Sequence, residues 1–213
     1  MLVNNEHMVE TLAMYGYIKS ERIKEAFLKV DRANFVPEEY RDKAYFDDPL
    51  PIGHAQTISA PSMVAIMLEL LELFEGAKVL EIGTGSGYNA CLMACAGAEV
   101  YTIERIPALR DMAKKNMEKC PCRSKVRILL GDGSGGYEAE APYDRIIVTC
   151  GAPDVPSPLI EQLKIGGIMV IPIGGTFFQE LYVIKKERNG LKKRVWGDVA
   201  FVPMVGKYGH RWA

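Results

Sequence analysis

The sequence predicts an α/β protein of three layers. A mostly parallel sheet lies between helices, ends in an antiparallel hairpin and follows a helical N-terminal appendage. Apolar, β-branched runs near 78–82, 100–103, 125–130, 144–149 and 168–173 alternate with helical patterns, the order of repeated βα units. The first run leads into Gly83-Thr84-Gly85-Ser86-Gly87 and then a helical pattern from Asn89 to Ala96, a strand–glycine turn–helix opening. Near the C-terminus, Asn189-Gly190 joins two strand-like runs, 181–188 and 192–201, a strong hairpin signal.

The elements follow in order. Asn5 to Tyr15 reads as a helix ended by Gly16. Ser20 can cap a second, Glu21 to Val30, with Ile23, Phe27 and Val30 on one face. Asp47 to His54 reads as an ordered loop, because Pro49, Pro51 and Gly53 oppose regular structure. It runs into Gln56-Thr57-Ile58-Ser59-Ala60-Pro61. Pro61 suits the first turn of a helix reaching about Phe74, apolar nearly all round and so buried. We place the appendage and a substrate loop at 1–60 and the main domain at 61–213. Pro107 opens a helix to about Lys119, and the strand from Lys125 ends in Gly131-Asp132-Gly133. After the strand Asp144–Thr149, a short helix from Pro158 to Lys164 is ended by Gly166-Gly167, and a strand follows at Ile168–Ile173.

Composition narrows the partners. A chain of 213 residues can bury one sizeable core, and a net charge of -1 leaves no basic stripe for nucleic acid. Lys192-Lys193-Arg194 reads as a solvated strand face. The run 63–74 is too short to span a bilayer and carries Glu69 and Glu72, and no secretory leader opens the chain, so a cytoplasmic protein off the membrane is expected. The five cysteines include Cys91 and Cys95, one helical turn apart, and Cys120 and Cys122 around Pro121. His7, His54 and His210 are scattered, so reduced thiols and no metal are expected. No helical seam is left over for a partner, and a monomer follows.

Two acids refine the glycine turn. A dinucleotide fingerprint wants a glycine where Tyr88 stands, and it has no need of a charge at Glu81, inside the strand. Glu104 ends the next strand about twenty residues on, where a carboxylate takes ribose hydroxyls. An acid at Glu81 repels a pyrophosphate and suits a cationic amino-acid tail. S-adenosylmethionine fits, with its own carboxylate toward the helix N-terminus.

The combination resembles the class I S-adenosylmethionine-dependent methyltransferases, with their Rossmann-like sandwich. More narrowly it resembles the protein-L-isoaspartate O-methyltransferase family. The residues that carry this are Asp48-Pro49-Leu50-Pro51-Ile52-Gly53 with Gln56-Thr57-Ile58-Ser59-Ala60-Pro61, Leu80 to Tyr88, Gly131-Asp132-Gly133, Tyr143-Asp144 with Ile146-Ile147-Val148, and Phe201-Val202-Pro203. The resemblance implies methyl transfer to the free α-carboxylate of isoaspartyl residues in damaged proteins and peptides, the first step of repair. It implies Ser59 as the catalytic residue. Gln56, Thr57, Glu81, Gly83, Gly85, Gly87, Glu104, Asp132 and Gly133 are implied on the cofactor, and Ile58, Ser59, Val202 and Pro203 on the substrate. Met204 and Val205 depart from the family pattern, and the tail after Gly206 matches nothing in it.

Such chemistry needs no general base, since a carboxylate is ionised near neutral pH, and no His/Asp pair accompanies any motif. Ser59 read alone is a helix cap, His54 a loop residue bonded to backbone, and Cys150 a buried inert thiol. The alternatives are a methyltransferase of another small molecule, base or protein, an NAD-dependent dehydrogenase, and a cofactor-binding module without catalysis. Thr149-Cys150-Gly151-Ala152-Pro153 lacks the Asn/Asp-Pro-Pro-aromatic run of amine methylation. Glu81 and Tyr88 oppose the dehydrogenase.

Overall fold

The computed structural model describes residues 4–211. Its centre is a seven-stranded sheet in the order β5-β4-β3-β6-β7-β8-β9. The strands β3 (Lys78–Ile82), β4 (Glu99–Glu104), β5 (Val126–Leu130), β6 (Tyr143–Val148) and β7 (Leu163–Gly174) run parallel. β8 (Gln179–Glu187) and β9 (Gly190–Val199) add on antiparallel, as expected. The strand order reverses between β3 and β6, and a crevice opens at the carboxyl ends of those two strands.

Alternation along the strands makes two cores. Val79, Val100 and Ile147 face a layer of five helices, whereas Leu80, Ile82, Ile103, Ile146 and Val148 face the opposite side. The five are α1 (Asn5–Met14), α2 (Glu21–Lys29), α3 (Pro61–Leu70), α4 (Tyr88–Cys95) and α5 (Pro107–Met117). The other layer is thinner: α6 (Ser157–Gln162) and short 3-10 turns at Gly133–Gly135 and Glu138–Glu140. Ser20 caps α2 by accepting from the Ile23 N–H. Phe27 of α2 is fully buried and meets Tyr88 of α4 edge-on, so the appendage shares the core of the main domain. Burying such a ring contributes about 1.5–3 kcal/mol. Among the described residues no helix is long and apolar enough to cross a membrane.

Five local expectations are corrected. The segment after Asp48 is not irregular: β1 (Leu50–Gly53) pairs antiparallel with β2 (Gln56–Ile58) around His54 and Ala55, both at positive φ. Leu50 and Ile52 point inward, and Pro51 is tolerated because each strand of a two-stranded ribbon has a free edge. α3 stops at Leu70, short of Phe74, because the Arg145 guanidinium takes the carbonyls of Leu71 and Glu72. Gly166 and Gly167 do not end α6. They lie within β7, where pairing with β6 jumps from Tyr143–Leu163 to Arg145–Ile168, and a Cβ on Gly167 would come within 2.8 Å of the Lys164 carbonyl oxygen. The hairpin turn is Arg188-Asn189, since Glu187 already pairs with Gly190. Finally, the thiols are not all reduced: Cys91 and Cys120, far apart in sequence, are joined as a disulfide where α4 passes the turn after α5.

Candidate active site

The glycine loop is built by backbone demands. Gly83 follows β3 with φ at 97°, and a Cβ there would lie 2.5 Å from Thr149 Oγ1. The Gly83 and Thr84 N–H groups bond the Ile103 carbonyl, tying the loop to β4. Gly87, at φ 88°, starts α4 without a side-chain cap of its own, and the Tyr88 N–H donates to Ser86 Oγ at 3.4 Å. Gly85 lies between them and donates its N–H to Glu104 Oε2 at 2.9 Å.

Glu104 is the last residue of β4 and lines a cavity of about 270 Å³. Its other oxygen accepts from the Ile106 N–H at 2.9 Å. The carboxylate is thereby fixed, and each oxygen keeps a lone pair for a hydroxyl. Gln56, Thr57, Gly83, Gly85, Gly133, Val202 and Pro203 line the same cavity, which brings together most of the residues singled out in the sequence. A smaller cavity of about 50 Å³ adjoins it through Thr57, Gly83, Gly85 and Thr149, and is lined also by Ile58, Ser59, Tyr88 and Asn89.

Glu81 lies beneath the loop and lines neither cavity. It is fully buried, accepting from the Thr102 hydroxyl at 2.6 Å and from Asn89 Nδ2 at 2.7 Å. Burial pushes its carboxyl up to about 7, with the two hydrogen bonds acting against that and Glu104 adding to it. Asn89 carries its influence to the smaller cavity. The Asn89 Oδ1 is buried and has no partner among the described residues. An orphaned acceptor backed by a buried acid is a seat for an ammonium group, so these residues fit the amino-acid end of S-adenosylmethionine.

Asp132 holds the chain. One oxygen accepts from the Ser134 N–H and the other from the Lys207 N–H, and it is Gly133 and Ser134 that line the cavity. Burial alone would raise the Asp132 carboxyl, but those donors outweigh it and leave it below the usual range. The Ser59 hydroxyl makes no hydrogen bond among the described residues. The N-cap of α3 is Ala60, and the Ser62 N–H goes to Asp47 Oδ1, so Ser59 has no capping duty. Phe201 to Val205 lie beside the loop after β6: the Gly151 N–H donates to the Val202 carbonyl, and the Met204 N–H donates back to that of Gly151. Burial pushes the Cys150 thiol up to about 12, which keeps it protonated in the cavity wall.

Four contributors were not singled out in the sequence: Asn89, Thr102, Gln179 and Arg32. The signal for Asn89 and Thr102 was a polar residue inside an apolar helix and an apolar strand. Gln179 is buried and accepts from the Phe201 N–H, fixing the C-terminal segment. Arg32 is fully buried, with Nη1 donating to the Ser59 carbonyl at 2.8 Å and Nη2 to the Asp48 carbonyl at 3.3 Å. Its guanidinium carbon stands 5.5 Å from the centre of the Tyr88 ring. The signal was a cation set between Phe27/Val30 and Phe35/Val36. Asp144 sits at the far end of the sheet, bonded to the Lys78 N–H and paired with Lys164.

Comparison with known proteins points to one family. The profile of the family described as protein-L-isoaspartate(D-aspartate) O-methyltransferase matches residues 3–209. The chain is 54% identical over 208 residues to a protein-L-isoaspartate O-methyltransferase of Methanopyrus kandleri, covering 96% of this chain and 92% of that one. It is 57% identical over 195 residues to protein-L-isoaspartate O-methyltransferase 1 of Archaeoglobus fulgidus, covering 90% and 89%. A Plasmodium falciparum crystal structure under the same enzyme name, in complex with S-adenosyl-L-homocysteine, superposes with a TM-score of 0.84 at 28% identity, over 95% of this chain and 98% of that one.

Proposed function

The chain belongs to the protein-L-isoaspartate(D-aspartate) O-methyltransferase family, and we propose that its chemistry is carried by the two joined cavities beneath the β1–β2 ribbon. It is an S-adenosylmethionine-dependent enzyme that methylates the free α-carboxylate of isoaspartyl residues in proteins and peptides. When bound, the cofactor supplies an electrophilic methyl group on a sulfonium. A carboxylate oxygen of the substrate forms the new C–O bond as the C–S bond breaks, and the electron pair stays on sulfur. The product ester then loses methanol to the neighbouring backbone nitrogen, and the resulting succinimide can open to aspartate.

The residues of this chain bind and align. Glu104 takes the ribose hydroxyls, and Gly133 and Ser134 stand at the adenine, with Asp132 holding their turn. Asn89, backed by Glu81, takes the ammonium. Gly83 and Gly85, which line both cavities, let the cofactor approach the backbone, whereas Gly87 lines neither and packs against Ala113 and Met117 of α5. Gln56 and Thr57 close over it. Ile58, Val202 and Pro203 line the substrate peptide. Ser59 donates its free hydroxyl to the carboxylate oxygen that is not attacked, turning the other toward the methyl carbon. Alignment of this kind supplies roughly 7–11 kcal/mol. The substrate's charge disappears in the transition state, so a neutral hydroxyl serves better than an arginine placed on the carboxylate. The single observation carrying this reading is that the fixed Glu104 carboxylate and the unpartnered Asn89 oxygen line adjoining cavities beneath Thr57. A net charge of -1 gives little attraction to nucleic acid or an anionic membrane, and we take the chain to act as a monomer.

Transfer of labelled methyl from S-adenosylmethionine to an isoaspartyl peptide tests it, with the aspartyl isomer as control. Labelling of the first alone is expected. Equal labelling of both, or of neither, would overturn the substrate assignment.

A further inference from the structure

Four of the five cysteines meet at one place, at the end of α4 opposite the glycine loop. Cys91 and Cys95 lie on successive turns of α4, and Cys120 and Cys122 bracket Pro121 just beyond α5. The sulfurs of Cys91, Cys95 and Cys120 all lie within 4.8 Å of one another. Cys122 neighbours Cys95 and lies outside the group of three that share this spacing. We propose that, once the Cys91–Cys120 disulfide is reduced, these four side chains form a tetrahedral zinc site that fastens α4 to the turn after α5.

Distance, enclosure and charge all support it. A zinc–sulfur bond of about 2.3 Å places tetrahedral sulfurs about 3.8 Å apart, close to the spacing of Cys91, Cys95 and Cys120, and Cys122 must turn toward these three to complete the set. Cys91 and Cys120 are buried, while Cys95 and Cys122 are half-buried and leave a path of entry. Four thiolates around one zinc carry a net negative charge, and the Lys29 ammonium, paired with Glu25, lies near Cys95 and Cys122. The steps balance. A dithiol reductant gives two electrons and two protons to the Cys91–Cys120 bond and becomes a disulfide itself. The four thiols then bind one Zn²⁺ and release four protons. The site would steady the cofactor loop, since Asn116 of α5 donates to the Ser86 carbonyl at 3.0 Å.

The test uses the full chain, reduced with dithiothreitol without oxygen, freed of reductant and titrated with Co²⁺ and then Zn²⁺. One metal per chain is expected, with the cobalt–thiolate charge-transfer band, displacement of cobalt by zinc and a raised Tm. Cys95→Ser and Cys122→Ser, at half-buried positions, should each weaken zinc by more than the roughly 10–100-fold typical of a lost outer-shell partner. Reduced protein that takes up no metal overturns the proposal. So does protein that, in the presence of zinc, re-forms the Cys91–Cys120 disulfide and gains a Cys95–Cys122 one, which would make the cluster a pair of disulfide staples. Unchanged zinc affinity in both serine variants overturns it as well.

Discussion

Glu81 has no cation beside it, and its behaviour with pH follows from that. Its carboxyl titrates near 7 in the folded protein, chiefly through burial, and near 4.3 in the unfolded chain. Between those values the folded state holds the extra proton. The contribution of this group to stability is therefore greatest below the ordinary glutamate range and falls as pH rises through about 7. Glu81→Gln can accept from Asn89 through its oxygen and donate to the Thr102 hydroxyl through its nitrogen, and it removes the decline, a gain of roughly 3–4 kcal/mol above neutral pH. Thermal melts from about pH 5 to about pH 8 check this, and a wild-type Tm that declines no more than the variant's would refute it. A cationic cofactor favours ionised Glu81, so binding should tighten with rising pH in the wild type and not in Glu81→Gln. Calorimetry in two buffers of different ionisation enthalpy would show proton release. Ser59 is the second residue whose role can be isolated, because its hydroxyl caps nothing. Ser59→Ala should lower turnover roughly ten- to a hundredfold, the worth of one hydrogen bond to a charged group. Cofactor affinity and Tm should not move. Full turnover on an isoaspartyl peptide would remove Ser59 from the mechanism.

The β1–β2 ribbon and the strap through Ser59 form the element on which the proposed substrate alignment depends, and Arg32 holds both ends of it. Its bonds to the carbonyls of Asp48 and Ser59 bracket the ribbon. Burial brings the Arg32 guanidinium down to about 10, with Tyr88 and Asp47 working against that, so it stays charged at neutral pH. Arg32→Met keeps the bulk and loses both bonds. We expect a tenfold or greater loss in kcat for isoaspartyl peptide, with cofactor affinity within about threefold of wild type, since each bond to a charged group is worth about 1.5–3 kcal/mol. Unchanged kcat would show that the ribbon holds its place without Arg32. None of this was legible in the sequence, because the partners of Arg32 are backbone carbonyls 16 and 27 residues away. Features set locally were legible: the Ser20 cap, Pro61 at a helix start, and the glycine loop between strand and helix. The misplaced ends have non-local causes. Arg145 stops α3 from another strand, a bulge against Tyr143 absorbs Gly166 and Gly167, and the ribbon forms because Leu50 and Ile52 find a core that the prolines could not announce. Glu104 was readable because its strand-end position is part of the βαβ pattern. Asn89 was not, since its use depends on Glu81 behind it.

At the scale of the molecule, the cofactor pocket is where three separate parts of the chain close on the sheet. The 56–59 strap comes from the N-terminal side, the glycine loop from the centre, and 202–205 from the C-terminal end. The last is held by one pair of hydrogen bonds to Gly151 and by the Phe201 bond to Gln179, not by a strand of the main sheet. Segments attached by so few bonds open locally at lower cost than strands such as β3 and β6. A ligand touching all three parts binds only the closed form, and it should stabilise the fold and quiet those segments together. With S-adenosyl-L-homocysteine at about one hundred times its Kd, the gain is about 2.7 kcal/mol, which raises Tm by roughly 5–10 °C for a chain of this size. Hydrogen exchange should slow at 56–59, 83–87 and 202–205, while amides of α1, which touches neither cavity, keep their rates. Protection at 83–87 alone would mean that the strap and the C-terminal segment do not close on the cofactor, and that ordering of the reaction site awaits the peptide.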